Sequence, residues 1–352
     1  MGIKNLTAFL KKHCPEVLVY RSINDLADKT VAIDTSMLIY QVVLAMRGGD
    51  GDMVNKEGKL TSHLYGMFNK IIDLLSKHIK PVFVFDGIPC ELKAELGLKR
   101  KEAKNKAKAQ ILNAMDDEEK IKLSKKTFSL KEEDVINAKI LLDLLGIPYI
   151  NALEEADVMC AYLSNQGIVD GVCTEDMDIL TFGGLTIYRG LLGNNNIMEI
   201  NLDAVLDGLK LTYEKFVSLC ILLGCDYCKG IKLIGPVTAI SYVKEYSDLE
   251  QIIDVTSTIK KHEMTKEHSD RLIKSRDYFI TSIDKIIKPT IKWRKMNEKA
   301  LLDFLVYKHS FSLITVIGKI AKYKQLQITH GFIKENITKY DFFNKNPILF
   351  IE

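Results

Sequence analysis

At 352 residues the chain is long enough to bury a full hydrophobic core, in one large domain or two closely packed ones. Charged residues make up 27% and hydrophobic ones 47%, with a formal net charge of only +3, so affinity for a polyanion has to come from local patches. No apolar run reaches the length of a membrane span, and the opening MGIKNLTAFLKK lacks a secretory apolar core; an intracellular protein is expected.

In chain order, VAID ends a short β-rich run at Asp34, PVFVFD ends one at Asp86, IPYI at Ile150 and GVCT at Thr174, with helical patterns between them. This alternation predicts an α/β fold with a central, mostly parallel sheet flanked by helices. Between the second and third runs, residues 93–126 hold eleven Lys or Arg against six acids and no proline, which predicts a basic helical insertion. Taken alone, such a run fits a solvated helical face; its other reading is an arch over a polyanion. Further on, TYEKFVSLCILLG and IGPVTAISYVKEY have helical patterns, the second with Pro236 near its start, and the C-terminal part reads as helical throughout. Residues 327–352 end in NPILFIE, too apolar for a solvated tail, and are expected to pack on the body.

Seven scattered cysteines read as reduced thiols. Cys225 and Cys228 have the spacing of zinc ligands, but no second pair lies at a matching distance, so they read as structural thiols.

The acids carry more information. Ligands of an open parallel sheet sit outside the carboxyl ends of its strands. Asp34 and Asp86 close their strands, Glu155 and Asp157 follow IPYINAL, and Asp176 and Asp178 follow GVCT, so six carboxylates converge on one edge. Singly, Asp34, Asp86 and Glu155 also suit caps or turns. Together they repel unless cations are present, which points to hard divalent ions such as Mg2+ and, with two of them, to phosphodiester cleavage. Lys93 and Arg100 are about two helical turns apart, so both can face a phosphate from one side.

MGIKNL, VAIDTSMLIYQ, TSHLYGMF, KPVFVFDGIP, LLGIPYINALEEAD, TEDMDILTFG and LCILLGCDYC followed by IGP resemble, in order, the motifs of the flap endonucleases, structure-specific 5′ nucleases of the xeroderma pigmentosum group G/Rad2 superfamily, over residues 1–325. The resemblance implies a PIN-like 5′ nuclease fold with a helical arch and a helix-two-turn-helix DNA-binding motif. It divides the chain into an N-terminal nuclease region (1–105), the arch (93–135), an internal nuclease region (123–254, with the helix-two-turn-helix at 224–245), C-terminal helices (255–325) and a C-terminal segment (326–352).

By the same resemblance, Asp34, Asp86, Glu155, Asp157, Asp176, Asp178 and Asp226 hold two Mg2+, with Mn2+ as a substitute, and Asp178 is catalytic together with Lys93 and Arg100, which contact the scissile phosphate. Tyr40 stacks on a base, Arg47 and Lys70 touch DNA backbone, Gly2 lies near the active site, and Gly224, Glu155 and Asp226 belong to the substrate-binding set. The segment Cys228–Tyr242 grips duplex phosphates with a bound K+. The implied partner is branched DNA with a 5′ flap, cut by a monomer in nuclear replication and repair; a viral enzyme working in the cytoplasm would look the same.

Several positions depart from the family pattern. Asp157 stands where Glu is usual, Val237 and Thr238 where bases are common, and Gly230 and Cys225 where Ser is usual. The segment FSLITVI (311–317) lacks the charges that hold a 3′ flap in relatives. The sliding-clamp motif is degenerate, with Asn336 and Lys339 ahead of Phe342 and Phe343. Glu175 is a candidate for orienting a ligand or a water. Two other readings stay open: a catalytically weak branched-DNA binder, and a haloacid-dehalogenase-type phosphatase with Asp176 as nucleophile, which would leave Asp34, Asp86 and Asp226 unexplained.

Overall fold

The computed structural model describes residues 2–47, 52–113, 127–193 and 196–331, with residues 116, 119 and 123 between them. One seven-stranded sheet runs through it: β1 (Val19–Ser22), β2 (Thr30–Asp34), β3 (Lys80–Phe85), β4 (Tyr149–Asn151), β5 (Gly171–Cys173), β6 (Thr186–Arg189) and β7 (Asn196–Asn201), in the order β1-β7-β6-β5-β2-β3-β4. Strands β2 to β6 are mutually parallel, and β7 and β1 are antiparallel additions at one edge. The four runs read from the sequence are β2 to β5. β1, β6 and β7 were not expected; β1 (VYRS) and β7 (NIMEIN) carry polar residues because one side of each meets solvent, which hides the apolar signal.

The central strands are buried on both faces. Val31 and Ile33 of β2 join Phe83 and Phe85 of β3 in one core, while Ala32, Val82 and Val84 join the other, as the two-residue period of a strand requires. The helices that bear on the site are α1 (Leu6–His13), α2 (Thr35–Met46), α3 (Ser62–Ser76), α4 (Ala94–Asn113), α5 (Glu132–Leu145), α6 (Ala156–Asn165), α7 (Asp178–Thr181), α8 (Tyr213–Leu223), α9 (Pro236–Glu245), α10 (Lys266–Thr281) and α11 (Leu313–Thr329). α2, α3, α5 and α11 contribute to the first core, and α1, α6, α8, α9 and α10 to the second.

The basic insertion is helical from Ala94 to Asn113; most of residues 114–126 lie outside the described residues. At the C-terminus, Tyr323 and Gln327 of α11 are buried and bond Leu145 O, while residues 332–352, with the degenerate clamp motif and NPILFIE, lie outside the described residues. Among the described residues no helix is long and apolar enough to cross a membrane.

Behind the sheet edge sits an aromatic cluster. The Phe182 ring, fully buried, lies 5.9 Å from Tyr227, 5.7 Å from Tyr278 and 4.6 Å from Phe279. Phe182→Ala is expected to destabilise the fold by about 3–5 kcal/mol, read from the midpoint of urea unfolding. A loss under about 1 kcal/mol would mean the cluster collapses to fill the space.

Candidate active site

The carboxyl ends of β2, β3 and β5 and the first turn of α6 deliver the acids. Asp34 ends β2 and caps α2, accepting from Met37 N at 3.2 Å. Asp86, just past β3, accepts from Ser36 Oγ at 2.6 Å and Ala156 N at 3.0 Å, so it fixes the start of α6. Glu155 occupies the cap position of α6 without capping it; its side chain takes hydrogen bonds from Lys93 Nζ and from Tyr227 OH at 2.6 Å. Asp157 follows two residues on, in the first turn of α6.

After β5 the chain makes a tight turn in which Thr174 Oγ1 accepts from Asp176 N at 2.9 Å, and Asp176 Oδ1 accepts from Asp178 N at 3.0 Å. Asp178 begins α7, fully buried, and neither of its carboxylate oxygens has a hydrogen-bond partner. Glu155 Oε1 is likewise unpartnered. A buried carboxylate without partners is too costly to keep as a structural feature; it is the mark of a site built for a cation or a substrate.

The chain start presses on this turn. Gly2 has a φ of +76°, and a Cβ there would lie 1.9 Å from Asp176 Oδ1 and 3.0 Å from Asp178 Oδ1, so only glycine fits. Gly224 does similar work beside Asp226: its φ is +90°, its carbonyl accepts from Lys4 N at 2.9 Å, and a Cβ would meet Gly230 N at 2.7 Å.

Two cations face the acids. Lys93 ends a 3-10 turn just before α4; burial works to lower its pKa, but Glu155, Asp157 and Asp178 outweigh that and hold it above the ordinary lysine value. Arg100 reaches Asp226 with a 2.9 Å ion pair. Lys93, in the turn before α4, and Arg100, within it, thus pair with two different acids, Glu155 and Asp226. Burial, and then neighbouring carboxylates, push the acids up: Asp34 to about 7, with Asp86 as the main charged neighbour, and Asp157 and Asp178 well above the usual range, each beside Asp176.

The donor set of seven carboxylates, with three buried oxygens unsatisfied, fits hard divalent cations. Among the described residues no group of three or more His, Cys, Asp or Glu side chains lies close enough to hold an ion by itself.

Other expected residues are less free. Arg47 is ion-paired to Asp52 at 2.8 Å and lies over the Phe128 ring, Lys70 sits 3.5 Å from Asp73, and Tyr40 is half-buried, edge-on to Phe128 at 5.0 Å. Glu175 turns away from the acids, accepting from Gly190 N at 2.8 Å and facing Arg189; this fixes the turn after β6 and corrects the expectation that it orients a ligand. Sequence reasoning missed Tyr227, which is fully buried, holds Glu155, and has its ring 4.8 Å from Lys93 Nζ; its only signal was adjacency to Asp226.

The raised carboxyl values make stability depend on pH in the absence of divalent ions. A carboxyl whose folded pKa exceeds its unfolded one of about 4 stabilises most below that unfolded value and loses its contribution as pH rises through the folded one, about 7 for Asp34. In chelator, the melting temperature is expected to fall between about pH 5 and about pH 8. Asp178→Asn should raise it at the upper end; a flat profile for both proteins would mean the acids are not crowded.

Known proteins resemble this chain over most of its length. The XPG N-terminal domain matches residues 1–107 and the XPG I-region residues 146–226. The chain is 38% identical over 332 residues to flap endonuclease 1 of Vanderwaltozyma polyspora, covering 92% of this chain and 88% of that protein. To flap endonuclease 1 of Theileria annulata it is 37% identical over 339 residues, 93% of this chain but 65% of that longer protein. The solved flap endonuclease-1 of Methanococcus jannaschii superposes with a TM-score of 0.69 at 28% identity, over 89% of this chain and 98% of that one.

Proposed function

Since the chain belongs to the flap endonuclease family of DNA nucleases, we propose that it is a Mg2+-dependent, structure-specific 5′ flap endonuclease with 5′–3′ exonuclease activity. It would hydrolyse phosphodiester bonds at junctions of single-stranded and duplex DNA, in Okazaki fragment maturation and repair. The observation that carries this reading is Asp178, buried and unpartnered among six further acids and opposite Lys93 and Arg100.

Asp34, Asp86, Glu155, Asp157, Asp176, Asp178 and Asp226 would hold two Mg2+. When bound, the ions would supply the charge that activates a water for in-line attack and steadies the leaving 3′ oxygen. Lys93 and Arg100 would exchange their carboxylate partners for the non-bridging oxygens of the scissile phosphate, a trade that keeps every charge paired. Tyr40 would stack on the base beside the cut, and nucleotides at a junction would unpair to reach the acids at a cost of a few kcal/mol, least where pairing is already lost. The turn between α8 and α9, with Gly224 and Asp226, would grip the duplex through backbone amides and a K+, reading shape rather than sequence. The phosphatase reading leaves Asp34, Asp86 and Asp226 without a role and is set aside.

The test is cleavage of a 5′-labelled flap duplex with Mg2+, in parallel with EDTA and with Asp178→Asn. Cutting at the junction that disappears in both controls is expected, and Lys93→Ala or Arg100→Ala should slow it on the order of 10²-fold. Binding without cutting by the wild type would leave only a branched-DNA binder, and cutting by Asp178→Asn at the wild-type rate would remove that residue from the site.

A further inference from the structure

The turn that carries Asp226 is bracketed by two cysteines. Cys225 Sγ and Cys228 Sγ are 3.5 Å apart, and Cys225 N donates to Cys228 O at 3.0 Å, so the Cys-Asp-Tyr-Cys segment is already folded back on itself. Both thiols are free and largely buried, at 8% and 4% exposure, yet both line a cleft of about 430 Å3 together with Asp226, Lys4, Lys99 and Arg271. Both thiols therefore border a cleft that small solutes can enter, with Asp226 in its wall.

The geometry points to a modification site here: a reversible disulfide between Cys225 and Cys228, formed by a hydroperoxide entering the cleft, that switches the nuclease off. This rests on the proposed nuclease function. The two thiols give up two protons and two electrons to form one S–S bond, and the O–O bond breaks to yield two molecules of water from hydrogen peroxide, or one of water and one of the alcohol from an organic hydroperoxide; a dithiol reductant reverses the step by exchange. A disulfide is about 2.05 Å long, so the sulfurs approach by roughly an ångström and a half.

The two residues enclosed by that ring are Asp226 and Tyr227, the first paired with Arg100 and the second bonded to Glu155. Lys4 N donates to Gly224 O at 2.9 Å just before the ring, and within it Arg271 Nε donates to Tyr227 O at 2.8 Å while its Nη2 bonds Leu92 O at 2.6 Å. With the backbone tethered at these points, the contraction falls on Asp226 and on the direction of the Tyr227 side chain. Displacement of such groups by about 1 Å lowers rates on the order of 10²-fold.

The experiment treats the full chain with hydrogen peroxide, removes the peroxide, and assays flap cleavage before and after dithiothreitol. In parallel, the peptide spanning residues 225–228 is weighed for the loss of two hydrogens. Loss of activity by tenfold or more, tracking the crosslinked peptide and restored by dithiothreitol, is expected; Cys225→Ser should keep its activity in peroxide, and Cys90→Ser should remain sensitive. A crosslink without loss of activity, or a reversible loss without the crosslink, overturns the inference. Should Cys225→Ser misfold, the wild-type crosslink and its reversal decide alone. If the fully reduced protein does not cut a flap at all, it is the functional reading that fails, and the peptide mass still reports whether the disulfide forms.

Discussion

Carboxylates gathered at the end of a parallel sheet repel one another, and burial sharpens that repulsion enough to bring Asp34 to about 7 and to lift Asp157, Asp176 and Asp178 as well. The arrangement persists because the strands leave the acids no alternative. β2 is hydrogen-bonded on both sides, to β3 and β5, and its apolar residues are locked into both cores, so Asp34 emerges where the strand stops. Asp86 is held by Ser36 and the start of α6, and Asp176 by Thr174 and the amide of Asp178. Stability built in the hydrophobic layers is thus spent at the edge, on charges that a bound cation can use.

The support extends well beyond the acids. Tyr227 touches Glu155 with its hydroxyl, Lys93 with its ring and Phe182 with its edge, so one side chain links the acid, the base and the aromatic core. Arg271, on α10, bonds the carbonyls of Tyr227 and Leu92, tying the turn after α8 to the segment that carries Lys93. Residues far apart in the chain are therefore fixed relative to one another by a few hydrogen bonds, as the tight tolerances of phosphoryl chemistry demand.

Much of this was legible in the sequence, for identifiable reasons. Asp34 and Asp86 stand directly after apolar strand-forming runs, and the rule that sites lie at the carboxyl ends of parallel strands places them without further information. Lys93 and Arg100 were legible as a basic pair opposite the acids, but not from helical spacing, because Lys93 stands in the 3-10 turn before α4. Asp226 was not legible, because it follows a helix rather than a strand, and its approach to the site depends on the turn between α8 and α9, which leaves no periodic trace. Tyr227 was passed over for the same reason. Glu175 misled because adjacency in sequence to Asp176 says nothing about direction, and the tight turn sends its side chain toward Gly190. β1, β6 and β7 escaped notice because short strands with a wet side lack a continuous apolar run.

The helix α4 has one further consequence. Its residues from Gly97 to Lys106 are nearly all exposed, and among them Arg100, Lys104 and Lys108 follow one another at helical spacing, close enough that Lys104 is held below its ordinary value by burial and by Lys108. A helix of this kind works against itself: like charges stacked along one side favour the coil. Dissolved salt screens that internal repulsion and steadies the helix, while the same ions weaken its attraction for any polyanion. The two responses have opposite sign, so salt orders this element while lowering its pull on negative charge, and only a polyanion at close range can satisfy both demands at once.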